Sequence, residues 1–131
     1  MKEFSLELRV YIEDTDAGGI VYYVNYLKFM ERARTEMLRE LGFDKAGANP
    51  GSVQFVVRSA AVEYMKPASL DDELMVTAKV VELGGASLAF DQQVRRGSDL
   101  LCTARIRIAC VNGGSLKPTR ISADMKAALE N

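Results

Sequence analysis

The segment from Asp14 to Tyr26 combines residue types that can carry out nucleophilic or acid–base chemistry. Asp14 and Asp16 lie beside the paired glycines Gly18 and Gly19, directly before a stretch with helical periodicity. A helix N-terminus presents unpaired N–H groups and the positive end of the helix dipole. Such groups can stabilise negative charge on a carbonyl oxygen while a nearby carboxylate attacks the carbonyl carbon or activates water. Spacing alone leaves a second interpretation open, and slightly favours it: a polar loop whose acids only stabilise the start of the helix.

The 131-residue chain contains no histidine, which limits the chemistry that it can perform. Serine–histidine–acid triads, cysteine–histidine pairs, histidine general bases and histidine metal ligands are excluded within one chain. Proton transfer would have to use a carboxylate, lysine, tyrosine or cysteine, or a cofactor. With 17 basic and 18 acidic residues the formal net charge is −1. This balance argues against the broad positive field of a dedicated nucleic-acid-binding protein.

Three further patterns favour structural interpretations. The acids of the first segment have the spacing of an EF-hand loop, but its twelfth position is Asn25 rather than glutamate and no helix precedes it, so no calcium site is predicted. Arg34 falls within the apolar stripe of the predicted helix and Glu31 at its edge, which favours a structural ion pair over a second catalytic acid. The glycine doublets at 84–85 and 113–114 lack a nucleotide-binding context and predict turns.

The periodicity of the hydrophobic residues predicts an α+β fold built from one sheet and one long helix. Alternation is typical of strands, and a spacing of three to four residues is typical of a helix. The predicted elements are a strand at 5–12, a helix at 24–41, strands at 53–66, 73–83, 87–95 and 100–111, and a short C-terminal helix at 122–129. Short connectors predict that the last four strands form an antiparallel meander. Because one helix cannot cover five flat strands, we expect the sheet to curl around it in a single domain spanning residues 1–131.

The predicted long helix has recognisable ends and a buried face. Asn25 is a candidate N-cap, and Gly42 is a candidate for the left-handed residue that follows the last turn. A loop is predicted at 43–52, before the next strand. The apolar stripe of the helix is expected to consist of Tyr26, Met30, Ala33, Met37 and Leu41.

Two cysteines, Cys102 and Cys110, occur on one face of one predicted strand. At about 3.3 Å per residue they are roughly 26 Å apart, too far for a disulfide. We therefore expect buried free thiols in a reducing compartment. No signal peptide is predicted at the start of the sequence, and no apolar run is long enough to span a bilayer. These features predict a cytoplasmic protein without a membrane span.

Two stretches of the sequence closely resemble one known family. The first reads DTDAGGIVYYVNY at 14–26 and continues as FMERARTE at 29–36, and the second reads VVRSAAVEYMKPASLDDEL at 56–74. Both are similar to the 4-hydroxybenzoyl-CoA thioesterase family, and the nearest branch is the one associated with the Tol–Pal system. The resemblance implies the hotdog fold, a five-stranded antiparallel sheet wrapped around one long helix. It also implies a homodimer with active sites at its interface, often paired into a homotetramer, that hydrolyses acyl-CoA thioesters with neither metal nor cofactor.

The resemblance also assigns roles to individual residues. Asp16 corresponds to the catalytic carboxylate, acting as nucleophile or as general base. The backbone N–H of Tyr23 corresponds to the donor that polarises the thioester carbonyl. Gly18 and Gly19 are implied to shape the loop. The candidate substrate-binding residues are Gly18, Gly19, Val24, Arg58, Ser59 and Lys66. Arg58 and Lys66 are included because a basic side chain can bind a CoA phosphate, although most basic residues of the chain are expected to be solvated surface residues.

One position departs from the pattern of many close relatives, which have histidine where this chain has Tyr23. A backbone donor survives either residue, but a phenol that is protonated at neutral pH cannot replace histidine as a base. The acyl group is therefore expected to be short and aliphatic, or aromatic. A competing hypothesis is a non-catalytic scaffold that binds acyl thioesters or acyl carrier protein. A dehydratase or hydratase on the same fold is a third hypothesis, and it is disfavoured because those enzymes usually employ histidine.

Overall fold

Strands and helices follow one another in the predicted order in the part of the chain that the structure, a computed structural model, describes: residues 2–43 and 53–130. The elements are β1 (Glu3–Arg9), a 3-10 turn (Ile12–Asp14), α1 (Asn25–Glu40), β2 (Val53–Tyr64), β3 (Glu73–Leu83), β4 (Ser87–Arg96), β5 (Asp99–Asn112) and α2 (Ala123–Glu130). The α+β class is therefore confirmed. Apart from Phe43, the loop predicted at 43–52 lies outside the described residues. No described helix is long and apolar enough to cross a membrane.

The strand order of the sheet differs from the predicted meander. The five strands are antiparallel in the order β1-β3-β4-β5-β2, so β2 pairs with β5, from Val53 opposite Asn112 to Tyr64 opposite Cys102. The connector at 65–72 therefore runs from the edge strand β2 past β5 and β4 to β3. The predicted pairing of β2 with β3 is wrong. Eight extended residues reach roughly 26 Å, whereas three interstrand steps need about 14 Å. A connector of this length can thus cross the sheet as well as join neighbours.

The helix α1 packs one face against the sheet and forms the centre of the core. Its buried residues are Asn25, Tyr26, Phe29, Met30, Ala33 and Met37. Phe29, which the predicted stripe omitted, is only 1% exposed. Leu41 is exposed because the helix ends at Glu40. Gly42 has a φ of +94°, and Phe43 donates its N–H to the Leu38 carbonyl at 2.8 Å, which confirms the predicted glycine stop.

The first strand ends three residues earlier than predicted. After Arg9 the chain enters the 3-10 turn, where Asp14 Oδ2 accepts the N–H of Tyr11 at 2.9 Å. This side-chain bond replaces a ladder bond and ends the alternation. Ile12, predicted to face the core, is 77% exposed as a result.

The two cysteines lie on β5 as predicted. Cys102 and Cys110 are both buried and free. Burial raises the pKa of the Cys102 thiol to about 11, and it also raises the pKa of Cys110. Both thiols are therefore protonated at neutral pH.

Candidate active site

Asp16 lies in a tight turn between β1 and α1, together with the glycine pair. Its N–H donates to the Ile20 carbonyl at 2.9 Å, and its carbonyl accepts the N–H of Gly19 at 3.1 Å. Its Oδ1 accepts the N–H of Gly18 at 2.8 Å. Gly19 has a φ of +81°, a conformation that favours glycine, and a Cβ at Gly18 would lie 3.3 Å from Asp16 Oδ1. The glycines thus allow the turn to present an exposed carboxylate.

Two backbone N–H groups at the start of α1 are available to a ligand. The N–H groups of Tyr23 and Val24 have no acceptor among the described residues, whereas Asn25 donates to the Tyr22 carbonyl at 2.8 Å and Leu27 to the Val24 carbonyl at 3.1 Å. Unpaired donors at the positive end of a helix can polarise a carbonyl oxygen. The predicted role of the Tyr23 N–H is therefore chemically feasible, and it stays a prediction.

Asp14 and Asn25 attach the turn to the helix. Asn25 Nδ2 donates to the Asp14 carbonyl at 2.8 Å, and the same carbonyl accepts the N–H of Tyr22 at 3.0 Å. Both Asp14 and Asn25 are buried. Asn25 is the first residue of α1, so the predicted N-cap is wrong: Val24 occupies that position in a helical conformation. Asp14 is occupied by internal hydrogen bonds, so Asp16 is the exposed one of the two aspartates.

The crossing segment at 65–72 supports the turn from the other side. The carbonyl of Ala68 accepts the N–H of Val21, and the N–H of Ala68 donates to the Tyr26 hydroxyl, both at 2.8 Å. Ala68 is fully buried. One residue of the crossing segment thus joins the turn to the helix, and sequence periodicity did not indicate it.

A group of four charged side chains holds the crossing segment on the hairpin of β4 and β5. Arg96 Nη1 donates to Asp72 Oδ2 at 2.8 Å, and Lys66 Nζ donates to Asp99 Oδ1 at 3.2 Å. Burial alone would raise the pKa of Asp72, but the N–H of Ser69 and the Arg96 guanidinium outweigh it and hold the pKa below its ordinary value. Lys66, a predicted substrate-binding residue, is exposed, and one of its three N–H donors is used by Asp99.

An aromatic cluster covers the start of α1. The ring centroid of Tyr23 lies 5.1 Å from that of Tyr22 and 5.9 Å from that of Tyr64, and Tyr64 lies 5.6 Å from Tyr26. These edge-on contacts join α1 to the end of β2. Burial raises the pKa of Tyr26 and of Tyr64, so neither phenol is a base at neutral pH.

A groove of about 320 Å³ lies between α1 and the edge strand β2, and Val24 is one of its lining residues. Its other lining residues are Leu27, Lys28, Glu31, Arg34, Phe55, Val57, Ala60 and Ile106. Val57 and Ala60 share this face although they are three positions apart, because the register of β2 shifts between Val57 and Ser59 and a bulge adds one residue. Simple alternation therefore could not identify this side of the groove. Its walls are mostly apolar, as an acyl group requires.

Arg58 and Ser59 occupy the bulge itself. Arg58 lines a different cleft, of about 280 Å³, together with Glu82 and Arg107. Ser59 is exposed and lies opposite Arg107 on β5. The structure thus does not bring either residue into the groove that Val24 lines. Among the described residues, no group of three or more Cys, Asp and Glu side chains could hold a metal ion.

Arg34 has a different partner from the one predicted. Its Nη1 donates to Gln92 Oε1 on β4 at 2.9 Å. Glu31 makes no ion pair within 4 Å in the described part of the chain, so the predicted contact pair is wrong. Glu31 acts only as a neighbouring charge: burial lowers the pKa of Arg34, and Glu31 partly offsets this effect.

Comparison with known proteins decides the family. The model of the thioesterase superfamily matches residues 18–103. The chain belongs to the thioesterase superfamily. It is 44% identical over 129 residues to the acyl-CoA thioesterase YbgC of Haemophilus influenzae, covering 98% of this chain and 95% of that protein. It is 42% identical over 125 residues to the acyl-CoA thioester hydrolase YbgC of Escherichia coli O6:H1, covering 95% and 93%.

Solved structures of this superfamily share the fold. A probable thioesterase from Bartonella henselae superposes with a TM-score of 0.85 at 33% identity, covering 92% of this chain and 100% of that one. The resemblance, the hotdog fold and the assignment to thioester hydrolases are therefore confirmed. The roles of the individual site residues stay predictions.

Proposed function

We propose that this protein hydrolyses acyl-CoA thioesters, with Asp16 as the catalytic carboxylate and the N–H groups of Tyr23 and Val24 as donors to the thioester oxygen. In the reaction, the carbon–sulfur bond breaks, a carbon–oxygen bond to water forms, and one proton of water passes to the thiolate. The products are the free acid and CoA. The observation that carries the proposal is the pair of unpaired N–H groups at Tyr23 and Val24, where Val24 lines the groove and an exposed carboxylate, Asp16, precedes both in the chain.

Asp16 can act in two ways that isotope labelling and chemical trapping separate together. As a nucleophile, it forms a mixed anhydride with the acyl group, which water then hydrolyses. As a general base, it takes a proton from the attacking water. After a single turnover in ¹⁸O-water, label in Asp16 identifies a nucleophile, since hydrolysis of the anhydride at its protein carbonyl returns one solvent oxygen to the side chain. Label confined to the product arises both from a general base and from an anhydride hydrolysed at its acyl carbonyl, so trapping with hydroxylamine is needed: a hydroxamate at Asp16 identifies the nucleophile, and its absence identifies the general base.

The test of the proposal is Asp16→Asn. Asparagine keeps an Oδ1 that can accept the N–H of Gly18, so the turn is preserved while the charge is lost. We expect kcat for an acyl-CoA panel to fall by about a hundredfold or more, which is roughly 2.7 kcal/mol of barrier. Glu13→Gln is the matched control, since it removes an exposed carboxylate three residues earlier and should leave kcat unchanged. A variant Asp16→Asn that retains most of its activity would refute the proposed role.

The competing proposal is a scaffold that binds acyl thioesters or acyl carrier protein, and it predicts no hydrolysis by the wild-type protein. To test it, the substrate panel should carry aliphatic and aromatic acyl groups, each attached to CoA and to acyl carrier protein. Binding without release of free thiol by the wild-type protein would establish the scaffold. The apolar groove walls formed by Leu27, Phe55 and Ile106 agree with either kind of acyl group.

The proposal includes a homodimer formed by pairing of the β2 edge strands. Two such dimers would associate as a homotetramer. Strand β2 is twelve residues long, occupies one edge of the sheet and exposes Val56 and Val57. Long apolar edge strands are normally paired or covered. Light scattering should give two or four times the mass of one chain, and Val56→Lys should reduce it, because an edge lysine opposes strand pairing. A monomeric wild-type protein would contradict this part of the proposal.

A cytoplasmic location is also part of the proposal. The support is chemical: Cys102 and Cys110 are free, and a reducing compartment keeps thiols in that state. Fractionation of the source cells with an antibody to the protein would test it.

A further inference from the structure

The groove between α1 and β2 contains a guanidinium with unused hydrogen-bonding capacity. Arg34 donates Nη1 to Gln92, and its other guanidinium N–H groups have no acceptor among the described residues. In the same residues, no fully buried side-chain nitrogen or oxygen lacks a partner. The free N–H groups of Arg34 are therefore reachable from solvent, and Arg34 lines the groove. We conclude that they open into it.

Gln92 fixes the position of this guanidinium. Gln92 is 1% exposed, and its Nε2 donates to the carbonyls of Met30 at 3.0 Å and Thr77 at 3.1 Å. Because both amide hydrogens are used, Oε1 must point toward Arg34. A guanidinium held in this way presents its remaining donors in a defined direction, which is the requirement for recognising a planar anion.

The charges that line the groove favour an anion. Among the described residues that line the groove, Lys28 and Arg34 are cations and Glu31 is the single carboxylate, so the net charge of this lining is positive. Glu31 makes no direct ion pair with Arg34 in the described residues, and Arg34 is only partly exposed. A partly buried charge without a contacting counter-charge is costly, and an incoming anion would offset that cost.

The dimensions of the groove connect this cation to the reacting carbonyl. Arg34 follows Val24 by ten residues, or about 15 Å along a helix, and helical side chains lean toward the N-terminus, which shortens the distance. An acyl chain whose carbonyl binds the N–H groups at Tyr23 and Val24 can therefore extend along the apolar walls until its far end meets Arg34.

We propose that this enzyme prefers acyl groups that end in a carboxylate, and that Arg34 binds this carboxylate. The proposal rests on the proposed function, because it takes the groove as the acyl site. The guanidinium would form charge-assisted hydrogen bonds with the terminal carboxylate, while the methyl end of an ordinary fatty acyl chain would leave the same N–H groups unpaired or displace their water. Arg34 would thus determine specificity at the end of the substrate opposite the thioester.

The test uses pairs of CoA thioesters with equal chain length. Adipyl-CoA is compared with hexanoyl-CoA, and suberyl-CoA with octanoyl-CoA, each corrected for hydrolysis without enzyme. We expect a higher kcat/KM for the carboxylate-ended member of at least one pair. Arg34→Met should lower kcat/KM for that member about tenfold to a hundredfold and change its methyl-ended partner little. Arg34→Lys should retain part of the preference, because it keeps the charge and loses the planar fork.

Arg32→Met is the matched control. Arg32 lies on the same helix, is exposed, and has its guanidinium carbon 5.9 Å from the Phe29 ring centroid, but it does not line the groove. Arg32→Met should leave kcat/KM unchanged for both members of each pair. The inference is overturned if the wild-type enzyme shows no preference for carboxylate-ended substrates, as would happen if a carboxylate of a second copy neutralised Arg34. It is also overturned if Arg34→Met lowers kcat/KM equally for both members of a pair. Failure to hydrolyse any acyl-CoA would instead refute the proposed function.

Discussion

Removing the hydroxyl of Tyr26 should destabilise the protein through a single buried hydrogen bond. Tyr26 is 3% exposed, and its hydroxyl accepts the N–H of Ala68 at 2.8 Å. Phenylalanine can keep the ring contacts, so Tyr26→Phe leaves a buried N–H without an acceptor, at a cost of about 1–3 kcal/mol. At ~2.1 cal/mol/K per residue, the unfolding entropy of 131 residues is roughly 0.28 kcal/mol/K, so Tm should fall by about 4–11 °C.

A control variant separates the loss of this hydrogen bond from the general effect of replacing tyrosine by phenylalanine. Tyr22→Phe is the control, because Tyr22 is 47% exposed and its hydroxyl has no partner among the described residues. Both variants should be melted at one protein concentration, since an oligomer makes Tm depend on it. Hydrogen exchange at the Ala68 amide should accelerate only in Tyr26→Phe. Equal Tm values for the two variants, with Ala68 protected as in the wild type, would refute the reasoning.

Three further predictions concern the turn, the crossing segment and the buried thiol. Gly19→Ala should destabilise by about 1–2 kcal/mol, because its φ is +81°, whereas Gly85→Ala meets open space and should be close to neutral in urea denaturation. The pKa of Asp72 is lowered in the fold, so its contribution to stability is full above its unfolded pKa of about 3.9 and is lost as pH falls through the folded value. The stability difference between wild type and Asp72→Asn should therefore shrink on acidification from pH 7, and an unchanged difference would contradict the Arg96 contact. Cys102, with its pKa raised to about 11 by burial, should resist iodoacetamide at pH 8 until the protein is unfolded, and rapid labelling of the folded protein would contradict its burial.

Local patterns predicted most elements of the fold but misassigned one neighbour in the sheet. The alternation that marks β3, β4 and β5 and the glycine that ends α1 depend on residues close in sequence, so they can be read directly. The pairing of β2 with β5 depends on contacts about fifty residues apart, and an eight-residue connector is compatible with both arrangements. Asp14 ended β1 early by a side-chain bond to Tyr11, a competition that alternation does not register.

The candidate site shows the same division. The two aspartates and the two glycines of the turn were identifiable from sequence, because they lie close together in the chain. The groove was not identifiable, since Val57 and Ala60 share its wall only through a bulge. Nor was the partner of Arg34, which lies 58 positions away on β4.

The sequence by itself determined the fold class, the family and the absence of histidine chemistry, because each of these depends on residue type and local spacing. Only the tertiary structure decided which acid is free. Asp14 and Asp16 are equivalent by composition, but Asp14 is buried and hydrogen-bonded to Tyr11 and Asn25 through its side chain and carbonyl, while Asp16 is exposed. The tertiary structure likewise decided that Arg34, hydrogen-bonded to Gln92, lines the groove beside α1. Burial and hydrogen bonding depend on residues distant in sequence, and these contacts determine which charged groups remain available to a substrate.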